Sequence, residues 1–492
     1  MWTKLKFDIP QQGEAGAIRQ ELAGTIAIVG GDQKAPIEIV ADYLSQVKDH
    51  LIKNLDNQYG TKLWRTLPVT PVVAVPVVWS DRAKHKTLEA VFKGGFNNTC
   101  FPLLRPRSQK LLQSTRSNRS VTPPKTPSSR LEMSELEPTV VEEVTMGSGG
   151  QCGGNFVDRG FLKWFEDKIG IADFNKVTGC CAEELSRTSL PRKLGRMVQE
   201  FTLTAKSGFS GTEEYFLRLP ALLSAIDDSE RGMGDGEIQI TPLDMKKIFE
   251  VPLLLTKGLL DNQIQQARRS VKVKLKCIFR VGGFAESPYM YKELSALARS
   301  YDIHAVKPPH AWSAIVRGAA AKGLEVENSA AIRSRICRRH YGTSCNKSFQ
   351  SWQHDEIDAF VCPFTGLKRG KNQMNLIIMK GGELKASNTS HGKIDMCTTH
   401  WNGSSKIMTI ALMVSDSDEA PPSSYDPCIY TVAQMVVDLN PVPAWEWRKA
   451  SSPLGRPYHV LDYSVEISVQ STLEYSLSVN GVRYGSVTAN YA

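Results

Sequence analysis

The length, composition and charge of this chain predict a large soluble protein and exclude several other classes. Its 492 residues exceed what one ordinary hydrophobic core can organise, so two or three domains are expected. The hydrophobic share of 41% and the charged share of 23% are typical of globular proteins. The longest apolar run, residues 72–79, is too short to span a bilayer, and no apolar segment near Met1 predicts a signal peptide. No membrane partner is therefore expected.

The ten cysteines are scattered along the chain and form no C-x-x-C pair. In a chain of this length, that distribution predicts buried thiols in a reducing compartment, and hence a cytoplasmic protein. Cys397 and His400 are spaced like two zinc ligands, but no second pair completes a site. The sequence therefore predicts no metal centre.

The first predicted elements are two helices with a strand between them. Residues 36–59 predict an amphipathic helix, because Pro36 suits a first helical turn and apolar side chains then recur every three or four residues. Residues 71–81 predict a buried strand that ends in a polar turn, and a second helix is expected to run through Phe92.

A tract rich in Ser, Pro and Arg interrupts this pattern at residues 101–139. Residues 101–131 carry several Lys and Arg residues and no Asp or Glu, so much of the net charge of +9 lies here. The tract lacks hydrophobic periodicity, which predicts a disordered basic linker. The alternative is a basic arm for nucleic acid, but the tract lacks the interleaved aromatic side chains that stack on bases. Nucleic acid is therefore not the expected partner.

Regular structure is predicted again from the glycine-rich turn at residues 146–156, which precedes a helix. Residues 241–244 form a capping-box pattern at the start of a long helix. A strand is predicted to end near Val281, where Gly282 and Gly283 form a strand-to-helix turn. Such glycines allow close approach of the backbone to a ligand, and a helix N-terminus there favours an anion. Residues 310–325 predict a further helix.

The C-terminal region, residues 343–492, predicts an antiparallel β-rich module. Residues 462–469 and 473–487 alternate between apolar and polar side chains with a period of two. Asn480 and Gly481 form a dipeptide that is typical of a tight hairpin turn.

Several segments together share motifs with one protein family. They are VVAVPVVWSDRAKHKTLEAVFKGGF (residues 72–96), MGSGGQCGGNFVDRGF (146–161), IFRVGGFAESPYMYKEL (278–294), PHAWSAIVRGAAAKGL (309–324) and RRHYG (338–342). Each resembles a segment of the heat shock protein 70-like family of the actin-like ATPase superfamily. The residues of these segments are most similar to those of the filamentous-fungal group.

The resemblance implies an α/β fold of the actin-like ATPase (ribonuclease H-like) type, in which two lobes clamp a nucleotide together with Mg²⁺. Residues 1–100 then correspond to an incomplete lobe I, and residues 101–139 to the linker. Residues 140–342 correspond to lobe II with its adenosine motif and connecting helix. The β-rich C-terminal region follows at residues 343–492. The implied cofactor is ATP or ADP.

Two phosphate loops that define the chemistry of that family are missing. The first, D-x-G-[ST], does not occur in residues 1–35, and the Ser/Pro/Arg tract stands where the second, D-x-G-G-G-T, is expected. In the family these loops hold the phosphates, and their carboxylates order metal-bound water. We therefore expect a degenerate site that binds nucleotide weakly, with no catalytic residue and no significant hydrolysis. The missing loops also argue against a bound Mg²⁺.

The resemblance still assigns six residues to nucleotide binding. They are Gly149, Gly150, Lys206, Gly282, Gly283 and Phe284. The first pair of glycines matches the turn near the ribose and phosphates, the second pair faces the nucleotide, and the Phe lies against the adenosine. The Lys matches the basic residue of the adenine-flanking helix, although Thr202 stands where its partner acid is expected. The alternatives are tight strand–helix packing for the glycines and a solvated helix face for the Lys.

Three functions are compatible with this pattern. The first is a non-hydrolysing, heat-shock-70-like binding module or scaffold with a polypeptide client or protein partner. The second is an ATP-dependent chaperone-like protein. The third is an incomplete or mis-spliced product without function, because the family pattern stops near Asn97 and returns near Val140.

Overall fold

The computed structural model describes residues 34–61, 64–66, 71–76, 79, 81–96, 111–114, 141–150, 152–185, 190–269, 274–324, 332–385, 388, 391–469 and 473–488. These residues belong to two compact units. Unit 1 holds the described residues between 34 and 114 and between 147 and 324. Unit 2 holds those between 141 and 146 and between 332 and 488.

The helices and strands are numbered here in chain order. Up to residue 324 they are α1 (Pro36–Tyr59), β1 (Val73–Pro76), α2 (Asp81–Lys93), β2 (Leu111–Ser114), β3 (Val141–Glu142), α3 (Gly154–Ile169), α4 (Ile171–Thr178), α5 (Arg192–Leu203), α6 (Ala205–Gly208), β4 (Tyr215–Arg218), β5 (Met233–Gly234), β6 (Glu237–Ile240), α7 (Pro242–Arg269), β7 (Cys277–Phe279), α8 (Pro288–Ser300), β8 (His304–Val306) and α9 (Ala314–Leu324). The later strands are β9 (Ile332–Ile336), β10 (His340–Ser348), β11 (Ala359–Val361), β12 (Lys368–Ile378), β13 (Glu383–Lys385), β14 (Gly392–Trp401), β15 (Ile407–Ser415), β16 (Ile429–Asp438), β17 (Trp447–Ser451), β18 (Pro457–Val469), β19 (Leu473–Val479) and β20 (Val482–Thr488).

The architecture is mixed α/β, with several sheets and a C-terminal part that is rich in strands, as the sequence predicts. The two N-terminal helices and the strand between them lie where they are predicted, and α1 has the predicted bounds. No helix within the described ranges is both long enough and apolar enough to cross a bilayer.

One strand lies inside the tract that is predicted to be disordered. β2 pairs in parallel with β1, from Val73 opposite Leu111 to Pro76 opposite Ser114. The structure differs there from the expectation, because the hydrogen bonds of a strand come from a partner that is distant in sequence. The rest of the predicted linker at residues 101–139 lies outside the described residues.

The main core cluster of unit 1 includes fully buried phenylalanine side chains from α3, α4, α5, α7 and the segment after α6. The fully buried members are Phe161, Phe165, Phe174, Phe201, Phe209 and Phe249. The ring centroids of Phe161 and Phe201 lie 4.1 Å apart with nearly parallel planes, so α3 and α5 are joined by direct stacking. Alongside the helices lie an antiparallel sheet in the order β4-β6-β5 and the parallel pair β7-β8.

The long helix α7 begins with the predicted capping box. The backbone N–H and the hydroxyl of Thr241 both donate to the Asp244 carboxylate, and the N–H of Asp244 donates back to Thr241 Oγ1. α7 packs against α3, and the two helices approach closely at Gly160. A Cβ atom at Gly160 would lie 2.5 Å from the carbonyl oxygen of Ile248. Only glycine permits this spacing of the two helices.

The described residues of unit 2 form three sheets. Their strand orders are β11-β12-β10-β15-β16, then β14-β18-β19-β20 with β17 also paired to β18, and finally β13-β9-β3. Two glycines let the two larger sheets approach each other. A Cβ atom at Gly392 would lie 2.6 Å from Ile378, and one at Gly485 would lie 2.8 Å from Val437. The side chains between the sheets, among them Leu412, are fully buried.

The predicted hairpin turn at Asn480 and Gly481 is confirmed. Both residues have positive φ, 46° and 82°, as a tight turn between twisted strands requires. The turn connects β19 to β20, which pair in antiparallel fashion from Val479 opposite Val482 onward.

We predict opposite effects from two glycine-to-alanine substitutions in helices of unit 1. Gly160→Ala drives a methyl group into the α7 backbone and should lower the free energy of unfolding by about 2 kcal/mol. Gly258→Ala is the matched control, because a Cβ there meets nothing within 4 Å and alanine favours the helix, so stability should rise by about 0.5–1 kcal/mol. Urea unfolding measures both. Equal effects of the two substitutions would contradict the close approach of α3 and α7.

We predict that His391 makes unit 2 less stable in mild acid. Its Nδ1 accepts the N–H of Val469 at 3.1 Å, and its Nε2 contacts the Lys385 carbonyl oxygen at 3.0 Å, an arrangement that suits the neutral ring. Burial lowers the pKa of His391, and the Lys385 carbonyl opposes this only in part. The unfolded chain therefore binds more protons once the pH falls below about 6.5, so stability is present above that pH and is lost as the pH falls toward the folded pKa.

The measurement for His391 is the urea midpoint across mildly acidic and neutral pH. His391→Gln should flatten the dependence of the midpoint on pH. An unchanged slope in this variant would show that His391 does not cause the effect.

Candidate functional site

The turn after β7 exposes two glycines to open space. Gly282 has a φ of +94°, and its N–H donates to the carbonyl oxygen of Ala311 at 2.8 Å. A short 3₁₀ turn, Gly283–Glu286, follows and leads into α8. A Cβ atom at Gly282 or Gly283 would meet nothing within 4 Å. Tight strand–helix packing, the alternative interpretation of these glycines, therefore does not explain them. This side of the turn is open to a ligand.

Three segments that are distant in sequence meet beside this turn. A Cβ atom on Gly154, at the start of α3, would lie 3.4 Å from the ring of Phe284 and 3.5 Å from both Cε and Nζ of Lys206. A Cβ atom on Gly153 would meet nothing within 4 Å. Phe284, Lys206 and the start of α3 thus form one group, which we call the glycine cleft together with Gly153, Gly154, Gly282 and Gly283.

The predicted glycines Gly149 and Gly150 lie in the extended segment that leads toward α3. Both are exposed, and a Cβ atom on Gly150 would lie 2.9 Å from Leu259 of α7. The described contacts do not join either residue to Phe284 or Lys206. Gly153 and Gly154, a few residues further along the same glycine-rich stretch, occupy the cleft instead.

Lys206 is held in a nearly buried ion pair. Its Nζ lies 2.6 Å from Oδ1 of Asp158 in α3, and the two side chains are only 14% and 18% exposed. The hydroxyl of Thr202 donates to the same carboxylate oxygen at 3.3 Å. Lys206 therefore does not lie on a solvated face. Sequence reasoning missed Asp158, although it follows Gly154 by four residues, one helical turn, within a stretch that carries the resemblance.

Phe284 connects the glycine cleft to the core of unit 1. Its half-buried ring stacks on Phe249, with the planes 16° apart and the centroids separated by 6.5 Å. Phe249 in turn packs against Phe209 and Tyr289. The supported ring offers the edge of an apolar surface, which is suited to a flat heterocycle.

The cations near the turn have acidic or aromatic partners. Lys307 pairs with Glu286 of the turn, and Lys257 of α7 pairs with Glu293 of α8 at 2.6 Å. Arg280 directly precedes the turn and lies 4.3 Å over the ring of Tyr291. Burial lowers the pKa of the Arg280 guanidinium, and its Nε and Nη1 are buried away from solvent.

The N-terminus of α8 offers few free donors. Pro288 occupies its first turn and has no N–H, and the side chain of the capping residue Ser287 accepts the N–H of Met290 at 3.4 Å. The anion site that the sequence favours at this helix is thus filled by its own cap. No group of three or more His, Cys, Asp or Glu side chains that could hold a metal ion occurs in the part of the chain that the structure describes.

No protein-family model matches this chain, and no curated protein matches it either. The resemblance to heat-shock-70-like proteins therefore stays a prediction that depends on the sequence motifs alone.

We predict that removal of Lys206 alone destabilises unit 1 more than removal of the whole ion pair. Lys206→Met leaves Asp158 charged and mostly buried, which should cost about 3 kcal/mol. The double variant Lys206→Met, Asp158→Leu removes both charges and should recover most of that loss. Lys176→Met is the control, because Lys176 pairs with Asp173 while 68% exposed, and its loss should cost less than about 1 kcal/mol.

Urea unfolding of the wild type, Lys206→Met, Asp158→Leu and the double variant measures the coupling of this pair, and Lys176→Met is measured beside them. Additive effects of the two substitutions would contradict a direct interaction between Lys206 and Asp158.

Proposed function

We propose that this chain is a heat-shock-70-like protein with a degenerate actin-like ATPase fold that binds an adenine nucleotide without hydrolysing it. In this proposal the glycine cleft of unit 1 holds the nucleotide, ATP or ADP. The protein acts as a binding module or scaffold for a polypeptide partner rather than as an ATP-driven chaperone.

One observation carries the proposal: Lys206, Phe284 and the glycine turn lie together. The resemblance assigns these residues to one adenosine site, and they come from segments of the chain that are far apart. Phe284 is placed beside Gly154 and Lys206, while Gly282 and Gly283 leave space for a ligand. A small apolar platform flanked by open backbone is typical of the nucleoside end of a nucleotide pocket.

The absence of hydrolysis follows from the sequence. The family aligns a transferring phosphoryl group with two loops and a metal ion, and neither loop motif stands at its expected position in this chain. The loss of a single group that stabilises transition-state charge typically slows an enzyme by about 10²–10³-fold. The loss of both loops removes all such groups at once.

Unit 2 offers an edge for a polypeptide partner. β11 is an outer strand of the five-stranded sheet β11-β12-β10-β15-β16, and both Ile357 just before it and Val361 at its end are exposed. An outer strand with exposed apolar side chains can pair with an extended peptide. This supports the binding-module form of the proposal.

The test is calorimetric titration of the full chain with Mg-ATP and Mg-ADP. We expect a Kd on the order of micromolar for the wild type, and Gly283→Glu should weaken binding by more than about tenfold, or 1.4 kcal/mol. A side chain at position 283 enters open space, so this variant should fold. Gln199→Glu, at an exposed position of α5, adds the same charge and should bind as the wild type does.

Two results would refute the proposal. One is a cooperatively folded wild-type chain that binds neither nucleotide. The other is ATP turnover within about tenfold of that of an intact member of the family, since it would require the phosphate chemistry that this sequence lacks. A chain that does not unfold cooperatively would instead support the incomplete product.

A further inference from the structure

The charges around the glycine cleft indicate which part of the nucleotide is recognised. Lys206 and Phe284 both lie against Gly154, and the ammonium group of Lys206 is compensated by Asp158 at 2.6 Å. A phosphate at this position would have to compete with a carboxylate that is already in contact and nearly buried. The cleft therefore offers an ion pair, with no net charge, where a phosphate-binding site needs free cations.

The other positively charged groups near the turn are also paired or shielded from a ligand. Glu286 lies in the turn itself and compensates the charge of Lys307. Arg280 lies over the ring of Tyr291, and its Nε and Nη1 are buried without a hydrogen-bond partner, so these two nitrogens do not reach a ligand at the turn surface. At the start of α8, Pro288 and the capped Ser287 remove donors.

The N-terminus of α3 also contributes partial positive charge to the cleft, through the helix dipole. A helix contributes about half an elementary charge there, and Asp158 lies in the second turn of the same helix, where its carboxylate opposes that potential. The aromatic surface of Phe284 and the open glycine backbone are unaffected by this compensation.

We infer that the cleft recognises the uncharged nucleoside and that the phosphates add little to the affinity. Asp158 acts as a positioning residue that fixes Lys206 beside Phe284 and cancels its charge toward a phosphate. This inference rests on the proposed nucleotide-binding function and specifies its ligand class: a purine nucleoside, free or as part of a larger molecule.

The experiment compares adenosine, AMP, Mg-ATP and inorganic tripolyphosphate as ligands of the full chain. Adenosine and ATP should bind with Kd values within about threefold of each other, a difference below 1 kcal/mol. Tripolyphosphate should not bind. ATP affinity should also change little with ionic strength, because a charge-compensated site exerts little long-range attraction on the phosphates for salt to screen.

The variant Asp158→Asn tests the role of the ion pair. Freed from its carboxylate partner, Lys206 should raise the affinity for ATP relative to adenosine by at least about fivefold, close to 1 kcal/mol. Asp173→Asn is the matched control, because it frees Lys176 in a surface ion pair on α4. In this variant the ratio of ATP affinity to adenosine affinity should stay at the wild-type value. The wild-type ligand series decides the question even if Asp158→Asn does not fold.

The outcomes separate the inference from the proposed function. ATP binding more than about tenfold tighter than adenosine would overturn the nucleoside inference and leave nucleotide binding intact. If folded Asp158→Asn keeps the wild-type ratio of ATP affinity to adenosine affinity, the proposed role of Asp158 is overturned. Failure of both adenosine and ATP to bind would overturn the proposed function itself.

Discussion

The aromatic core of unit 1 is the constraint on which its candidate site depends. Phe161 of α3 stacks on Phe201 of α5, while Phe209 and Phe249 join the segment after α6 to α7. Phe284 of the glycine turn stacks on Phe249 and so connects this core to the cleft. The start of α3, the Lys on α6 and the turn after β7 therefore take their positions from one set of ring contacts. A local change at the cleft has to be accommodated by closely packed rings, which tolerate little displacement.

Charge compensation gives this cleft a chemistry different from that of a phosphate site. Phosphate loops bind phosphate because unpaired backbone N–H groups and free cations converge on the ligand. Here the nearby lysines have carboxylate partners, and the helix after the turn is capped by its own serine. Apolar contact and close backbone approach are the interactions that remain for a ligand.

Unit 2 has a different basis for its stability. Its core is formed between antiparallel sheets, and Gly392 and Gly485 permit an approach that a larger side chain would obstruct. Neither glycine has the positive φ of a turn residue, so backbone conformation does not explain them. Close packing between the sheets does, and this requirement leaves no local signal in the sequence.

The sequence by itself determined the features that depend on neighbouring residues. The periodicity and Pro36 predicted α1, residues 241–244 predicted the cap of α7, and Asn480-Gly481 predicted the last hairpin, because helix caps and turns are short-range interactions. Tertiary structure alone decided the ion pair between Lys206 and Asp158, which are 48 residues apart, and the placement of Gly154 beside Phe284. The motifs pointed to Lys206 and Phe284, but not to Asp158, the acid that pairs with Lys206. Such contacts depend on how distant elements pack, and no local pattern encodes that packing.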